Sequence, residues 1–191
     1  MVIRRKWGLA LGGGFLRGAA HIGVLKVLNE EGFLPDVVAG ASAGSIVAAL
    51  YCSGCSLERL EKVTRELGPE CFYDPFSTVG KLSALIIKLI FDIIHVPAPF
   101  QAPLGLASGK KMERWLDSQL VPKHFRELKT FLAVTSVDIN TGTRVVFTDM
   151  DVYSPKLPED IIFIQGYPVT SAVVASCAVP GIFEPKKIGI R

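Results

Sequence analysis

One pentapeptide constrains this chain more than any other stretch: Gly40-Ala41-Ser42-Ala43-Gly44, set between an apolar run and a helix-forming one. Upstream, Asp36-Val37-Val38-Ala39 is short, apolar and β-branched, which predicts a buried strand. Downstream, residues 43–50 predict a helix. A serine at a strand-to-helix turn, with a glycine two residues to either side, has the form of a nucleophile elbow. Such a turn holds the serine in a sparsely populated backbone conformation, and neighbours without bulky side chains let the chain close tightly around it. The helix that starts there aims its free N–H groups and positive dipole end at any anion forming beside the serine. The same five residues also suit a plain small-residue turn that packs a helix against a strand, so a second signal has to decide.

That signal is Gly12-Gly13-Gly14-Phe15-Leu16-Arg17-Gly18, which follows a predicted strand at residues 7–11 and precedes a predicted helix at residues 19–31. Consecutive glycines let backbone amides converge on one point, as a phosphate or an oxyanion requires. Arg17 adds a fixed positive charge. A dinucleotide loop is excluded on two counts. The glycines at 12, 14 and 18 do not have the G-x-G-x-x-G spacing, and the second strand ends in Gly40-Ala41-Ser42 where a ribose-binding acid belongs. The nearest Walker-like string, residues 105–111, is one residue short and lacks the Ser/Thr. An oxyanion hole is the better reading.

The glycine loop and the elbow, about thirty residues apart and in this order, resemble the patatin-like phospholipase family. Thr135-Ser136-Val137-Asp138-Ile139-Asn140-Thr141-Gly142 resembles the family's strand-and-turn segment. Ala175-Ser176-Cys177-Ala178-Val179-Pro180-Gly181-Ile182-Phe183-Glu184-Pro185 resembles its late helix-end motif. The resemblance implies a three-layer α/β/α fold around a largely parallel central sheet. It implies that Ser42 is the nucleophile, that the amides of Gly12, Gly13 and Gly14 form the oxyanion hole, and that Arg17 supports that loop, with Gly40 and Gly44 flanking the serine. The implied activity is that of a serine-dependent lipid acyl hydrolase, of phospholipase A or lysophospholipase type, working through an acyl-enzyme on a phospholipid or other acyl-ester lipid without cofactor or metal. Transfer of the acyl group to an acceptor other than water is chemically adjacent.

Members of the family pair the serine with an aspartate in an Asp-Gly-Gly/Ala motif, without histidine. No Asp-Gly dipeptide occurs in this chain, so the acid is expected after Arg191. The residues Lys186-Lys187-Ile188-Gly189-Ile190-Arg191 read as a strand interrupted midway. The alternative is a non-catalytic lipid-surface module that has lost the acid. A Ser-His-Asp hydrolase using His95 or His124 is weaker still, because its elbow normally lies later in the chain. His21, inside the first helix and close in sequence to the glycine loop, reads as a packing and hydrogen-bonding residue rather than a general base.

The length of 191 residues suits a single domain, residues 1–191. With 49% hydrophobic and 20% charged residues, the chain is an ordinary globular protein on the apolar side. A net charge of +3, with no basic run interleaved with aromatics, points away from nucleic acid. Arg4-Arg5-Lys6 and the apolar residues after them resemble a signal peptide, but the glycines at 12–14 interrupt the apolar run and Arg17 ends it. Cys52-Ser53-Gly54-Cys55 has C-x-x-C spacing without a second pair or a nearby histidine, so buried free thiols in a reducing cytoplasm are expected.

Elsewhere, Ile22, Leu25 and Leu28 share one face of the first helix, and Gly32 ends it. Ser56 caps a helix over residues 57–67, and the chain turns at Tyr73-Asp74-Pro75. Residues 79–96 are dominated by Leu, Ile and Phe, interrupted by Lys81, Lys88, Asp92 and His95. Charges in mid-span make a transmembrane helix costly. Two readings stand, a core helix or an interfacial helix at a membrane surface. With the stiff Pro-rich linker at residues 97–103, this stretch forms a candidate lid or lipid-contact insert over residues 79–103. Ser108 is expected to cap the helix containing Met112, Trp115 and Leu116. Strands at residues 131–139 and 143–148 join at Asn140-Thr141-Gly142, where Asp138 reads as a turn residue or a substitute dyad acid. A small-residue helix is expected over residues 168–178, stopped by Pro180.

Overall fold

The computed structural model describes residues 6–66, 68, 75–95, 97–101, 103–152, 158 and 160–189. Expectations that fall on Arg4, Arg5, Leu67, Cys71, the Tyr73-Asp74 turn, Val96, Ala102, Ile190 and Arg191 therefore lie outside the described residues.

The sequence alternates strand and helix, and the chain folds as an α/β protein. The first strands are β1 (Gly8–Leu11) and β2 (Val37–Ala41), joined through a 3₁₀ turn at Phe15–Ala19 and helix α1 (Ala20–Glu30). Helix α2 (Ala43–Cys52) follows directly, then α3 (Leu57–Arg65), with Ser56 Oγ accepting the Arg59 amide as its cap. Helix α4 (Pro75–Ile93) leads to the short strand β3 (Gly105–Ala107) and helix α5 (Lys110–Gln119). The last part holds β4 (Phe131–Val137), β5 (Arg144–Phe147), β6 (Ile161–Ile164), α6 (Val169–Cys177) and β7 (Gly181–Phe183).

The main sheet has the order β1-β2-β4-β5-β6. Its pairs are parallel except β4–β5, which the turn at Asn140-Thr141-Gly142 joins as an antiparallel hairpin with Gly142 at φ +74°. Val38, Gly40, Leu132, Val134 and Phe147 share one face and are buried, and α2 and α6 pack on that side. From Gly44 to Leu50 every residue of α2 is buried, as expected of a helix apolar all round and laid across the middle of a sheet. Ile22 and Leu25 of α1 bring that helix into the same core. On the opposite face Phe131 is 60% exposed and Val137 57%.

Two local expectations are corrected. Helix α5 is capped by Gly109 at φ +70°, not by Ser108, because the chain enters the helix through a left-handed residue that glycine adopts without strain. Residues 186–188 form no strand. The strand lies earlier, at β7, which pairs in parallel with β3 and is followed by Pro185, a residue without a backbone donor.

Helix α4 is not the core helix of the first reading. None of its side chains described is buried, and Leu82, Ile86, Leu89, Ile90 and Ile93 are exposed. It is tied down at one end, where Thr78 Oγ1 donates to the Leu106 carbonyl (3.5 Å) and Lys81 pairs with Glu184 (2.6 Å). Lys88 and Asp92 do share a face and bond at 2.7 and 2.9 Å. Among the described residues, no helix is long and apolar enough to cross a membrane.

Candidate active site

Parallel pairing of β1 with β2 sets Leu11 opposite Gly40, so the residues that follow each strand emerge side by side. Gly13 thereby comes to lie against Ala41 and Ser42. A Cβ added to Gly13 would sit 3.2 Å from Ser42 Cβ and 3.9 Å from its Oγ. A side chain at Gly13 would need Ser42 or the loop to give by a few tenths of an ångström.

Ser42 stands at the N-terminus of α2 with φ 50° and ψ −124°, a conformation costing a non-glycine residue on the order of 1–3 kcal/mol. Hydrogen bonds to its backbone hold it there. The Ser42 amide donates to Ser176 Oγ (2.8 Å), and the Ser42 carbonyl accepts from the Ser45 amide (2.8 Å) and Ser45 Oγ (2.6 Å). The flanking glycines are required by space. A Cβ on Gly40 would lie 2.5 Å from Ser45 Cα, and one on Gly44 would lie 2.6 Å from the Gly12 carbonyl oxygen and closer still to that of Leu11. Gly18 plays the same part at the loop's far end, facing Ala43 Cβ.

Phe15 at φ 51° turns the glycine loop into the 3₁₀ segment, and Arg17 N–H donates back to the Gly14 carbonyl (3.0 Å). The Arg17 side chain runs along Gly14, whose missing Cβ would lie 3.4 Å from Arg17 Cβ. Phe15 and Leu16 stand 63% and 84% exposed at the loop's tip. His21 Nε2 donates to the Gly12 carbonyl oxygen at 2.8 Å.

His95 and His124 do not converge on Ser42. His95 lies at the end of α4, with Nδ1 bonded to the Ile93 carbonyl (3.0 Å). His124 precedes β4, at the end of the sheet opposite Ser42. Asp138 Oδ1 accepts the Asn140 amide (2.9 Å), a turn-forming bond. The Cys177 thiol ends α6 beside the serines. Burial pushes it up to about 11, while hydrogen bonding with Ser45 and Ser42 pulls the other way. Burial also raises Cys52 to about 12, and Cys52, Cys55 and Cys177 are all free thiols. Among the described residues, no group of three or more His, Cys, Asp or Glu could hold a metal ion. A cavity of about 540 Å³ lined by Trp7, Asp36, Phe131 and Met150 lies at the N-terminal ends of β1, β2 and β4, at the other end of the strands from Ser42.

Sequence reasoning did not find the role of Ser176. It lies inside the Ala175–Pro185 segment already singled out, but no local rule links it to a backbone amide 134 residues earlier.

The model of the family described as patatin-like phospholipase matches residues 9–191. YqhO of Bacillus subtilis, itself uncharacterized, is 32% identical over 180 residues, covering 92% of this chain and 56% of its own length. The chain thus spans little more than half of that relative. Neuropathy target esterase sws of Drosophila sechellia is 48% identical over 59 residues, 31% of this chain and 4% of that protein. Among solved structures, VipD of Legionella pneumophila aligns with a TM-score of 0.54 at 17% identity, covering 97% of this chain and 44% of VipD. ExoU of Pseudomonas aeruginosa, solved with SpcU, gives 0.50 at 17% identity over 92% of this chain and 38% of the other. These two likenesses bear on the fold. With the family model matching from β1 onwards, the chain belongs to the patatin-like phospholipase family, a family of lipid hydrolases.

Proposed function

We propose that the protein hydrolyses acyl esters of lipids with Ser42 as nucleophile. The observation that carries this reading is the register of β1 against β2, which brings the glycine loop, through Gly13, against a serine held at positive φ. In this reading Ser42 Oγ attacks the ester carbonyl and amides of the Gly12–Gly14 loop stabilise the tetrahedral oxyanion. Collapse expels the alcohol, and water then hydrolyses the acyl-enzyme. The proton acceptor in this reading is the dyad aspartate that the family places after the Phe183-Glu184-Pro185 segment. In the complete protein a fluorophosphonate probe should label Ser42, and Ser42→Ala should abolish both labelling and ester hydrolysis. Hydrolysis surviving in that variant refutes the assignment. A wild-type protein that neither reacts with the probe nor hydrolyses esters favours the lipid-surface module.

The same reading makes residues 79–103 a lipid-contact insert, with the protein meeting the membrane from one side. Its support is the exposed apolar surface of α4 and the docking of that helix on β3. Strand β3 pairs with β7, which follows the end of α6 that contacts Ser42. The apolar side chains would take up acyl chains while lysines stay near headgroups. Replacing Ile86, Ile90 and Ile94 with serine should weaken binding to phosphatidylcholine–phosphatidylglycerol vesicles and slow hydrolysis of vesicle lipid, leaving a short soluble ester little changed. Equal loss on both substrates, with a fallen melting temperature, overturns the lipid-contact role.

A further inference from the structure

We infer that His21 is a positioning residue for the oxyanion loop: it fixes the Gly12–Gly13 peptide so that the Gly13 amide faces the substrate side of the Ser42 site. The inference rests on the function proposed above for Ser42 and the loop. Its starting point is the 2.8 Å contact between His21 Nε2 and the Gly12 carbonyl oxygen. A carbonyl oxygen can only accept, so Nε2 carries the proton and is engaged. That nitrogen is therefore not free to take a proton from Ser42.

The Gly12 carbonyl and the Gly13 N–H belong to one planar trans peptide, so they point in opposite directions. The oxygen is held on two sides. His21, in the first turn of α1, binds it, and it lies so close to α2 that a Cβ on Gly44 would approach within 2.6 Å. With the oxygen turned toward the two helices, the Gly13 N–H is turned toward the open side of the loop. Both Gly12 and Gly13 are exposed there, and Gly13 lies next to Ser42.

A run of three glycines needs such a device. Without side chains each peptide of the loop can rotate at little steric cost, and an amide that samples both orientations is a poor oxyanion donor. A donor held in place before the reaction stabilises developing charge without reorganising. The loop itself supplies one restraint, the Arg17 N–H to Gly14 carbonyl bond, which acts on a different peptide. His21 supplies the restraint on the peptide nearest Ser42.

The test compares His21→Leu, His21→Gln and His21→Asn in the complete protein, using a short soluble ester. Leucine removes the donor. Glutamine places an amide N–H about where Nε2 stood but cannot act as a base, and asparagine keeps a polar amide too short to reach. His21→Leu and His21→Asn should lower kcat about ten- to a hundredfold with KM within about twofold, since the lost interaction acts in the transition state. His21→Gln should recover most of kcat. Unchanged kcat in His21→Leu overturns the inference, and so does a folded His21→Gln as impaired as His21→Asn, which would point to a base or to packing. If His21→Leu fails to fold, the Gln–Asn pair decides alone. Ser42→Ala retaining hydrolysis refutes the site itself, whereas an inert Ser42→Ala beside a fully active His21→Leu refutes only the role of His21.

Discussion

Replacing Gly44 with alanine adds one carbon where the structure has no room. That carbon would lie 2.6 Å from the Gly12 carbonyl oxygen and nearer still to Leu11 O, both backbone atoms that no rotamer change can move. Gly44 lies in α2 and is not among the positive-φ glycines, so the objection to alanine is space alone. To restore ordinary contact the glycine loop must retreat from α2 by roughly 1 Å. Overpacking of this kind costs about 1–3 kcal/mol, offset by up to about 1 kcal/mol from alanine's better helix propensity. Taking the upper end, because the clash is with backbone, the net loss is about 2 kcal/mol, or a fall in Tm of about 4–8 °C for a chain of this size. Moving the loop by about 1 Å relative to Ser42 should cost about a hundredfold in kcat on a soluble ester. Gly23→Ala is the control. It has the same chemistry in the interior of α1, but nothing lies within 4 Å of the added carbon. That variant should gain about 0.5–1 kcal/mol, raise Tm by about 1–4 °C, and leave kcat unchanged. A Gly44→Ala protein as stable and active as wild type would refute the steric argument and with it the close seating of the loop on α2.

Ser176→Ala removes the acceptor that the Ser42 amide uses, and should cost about 1 kcal/mol in urea unfolding and lower kcat several-fold with KM little changed. Chelators should leave ester hydrolysis intact, since the proposed chemistry uses a serine and backbone amides; turnover that requires added calcium would count against it. The buried thiols set an alkaline limit. Cys52 is raised from 9.0 to about 12, so between those values the unfolded chain releases a proton that the native state keeps. Stability should be fully present below pH 9 and fall as pH rises above it, and Cys52→Ala should flatten that slope in urea titrations at pH 8, 9 and 10.

Both glycine-bearing turns were visible in the chain because their demands are local. Three glycines after an apolar run, and a serine between Gly40 and Gly44 at a strand-to-helix step, meet backbone constraints that few other residues can. The periodic elements were legible for the same reason. Residues 131–139 and 143–148 appear as β4 and β5, residues 168–178 as α6, and Ser56 caps α3 as its side chain predicts. One short-range expectation failed where a neighbour distant in sequence decided. Strand β7 forms at Gly181–Phe183 rather than over residues 186–188 because β3 lies beside it, more than seventy residues earlier in the chain.

The fate of residues 79–96 shows the limit most clearly. Composition gives an apolar helix but not its surroundings, and burial depends on which elements pack nearby. Only the folded chain leaves α4 exposed and tied through Lys81 to Glu184. The site divides in the same way. The sequence by itself singled out the candidates, Ser42 and the Gly12–Gly14 loop, because a nucleophile elbow and a run of glycines are properties of residue type and local turn. The tertiary structure decided how they meet: the β1–β2 register that sets Gly13 beside Ser42, Ser176 accepting the Ser42 amide across 134 residues, and His21 donating to the Gly12 carbonyl. Register, and contacts between residues far apart in the chain, depend on which strands pair and where helices settle on them, and the packing of the whole core fixes both.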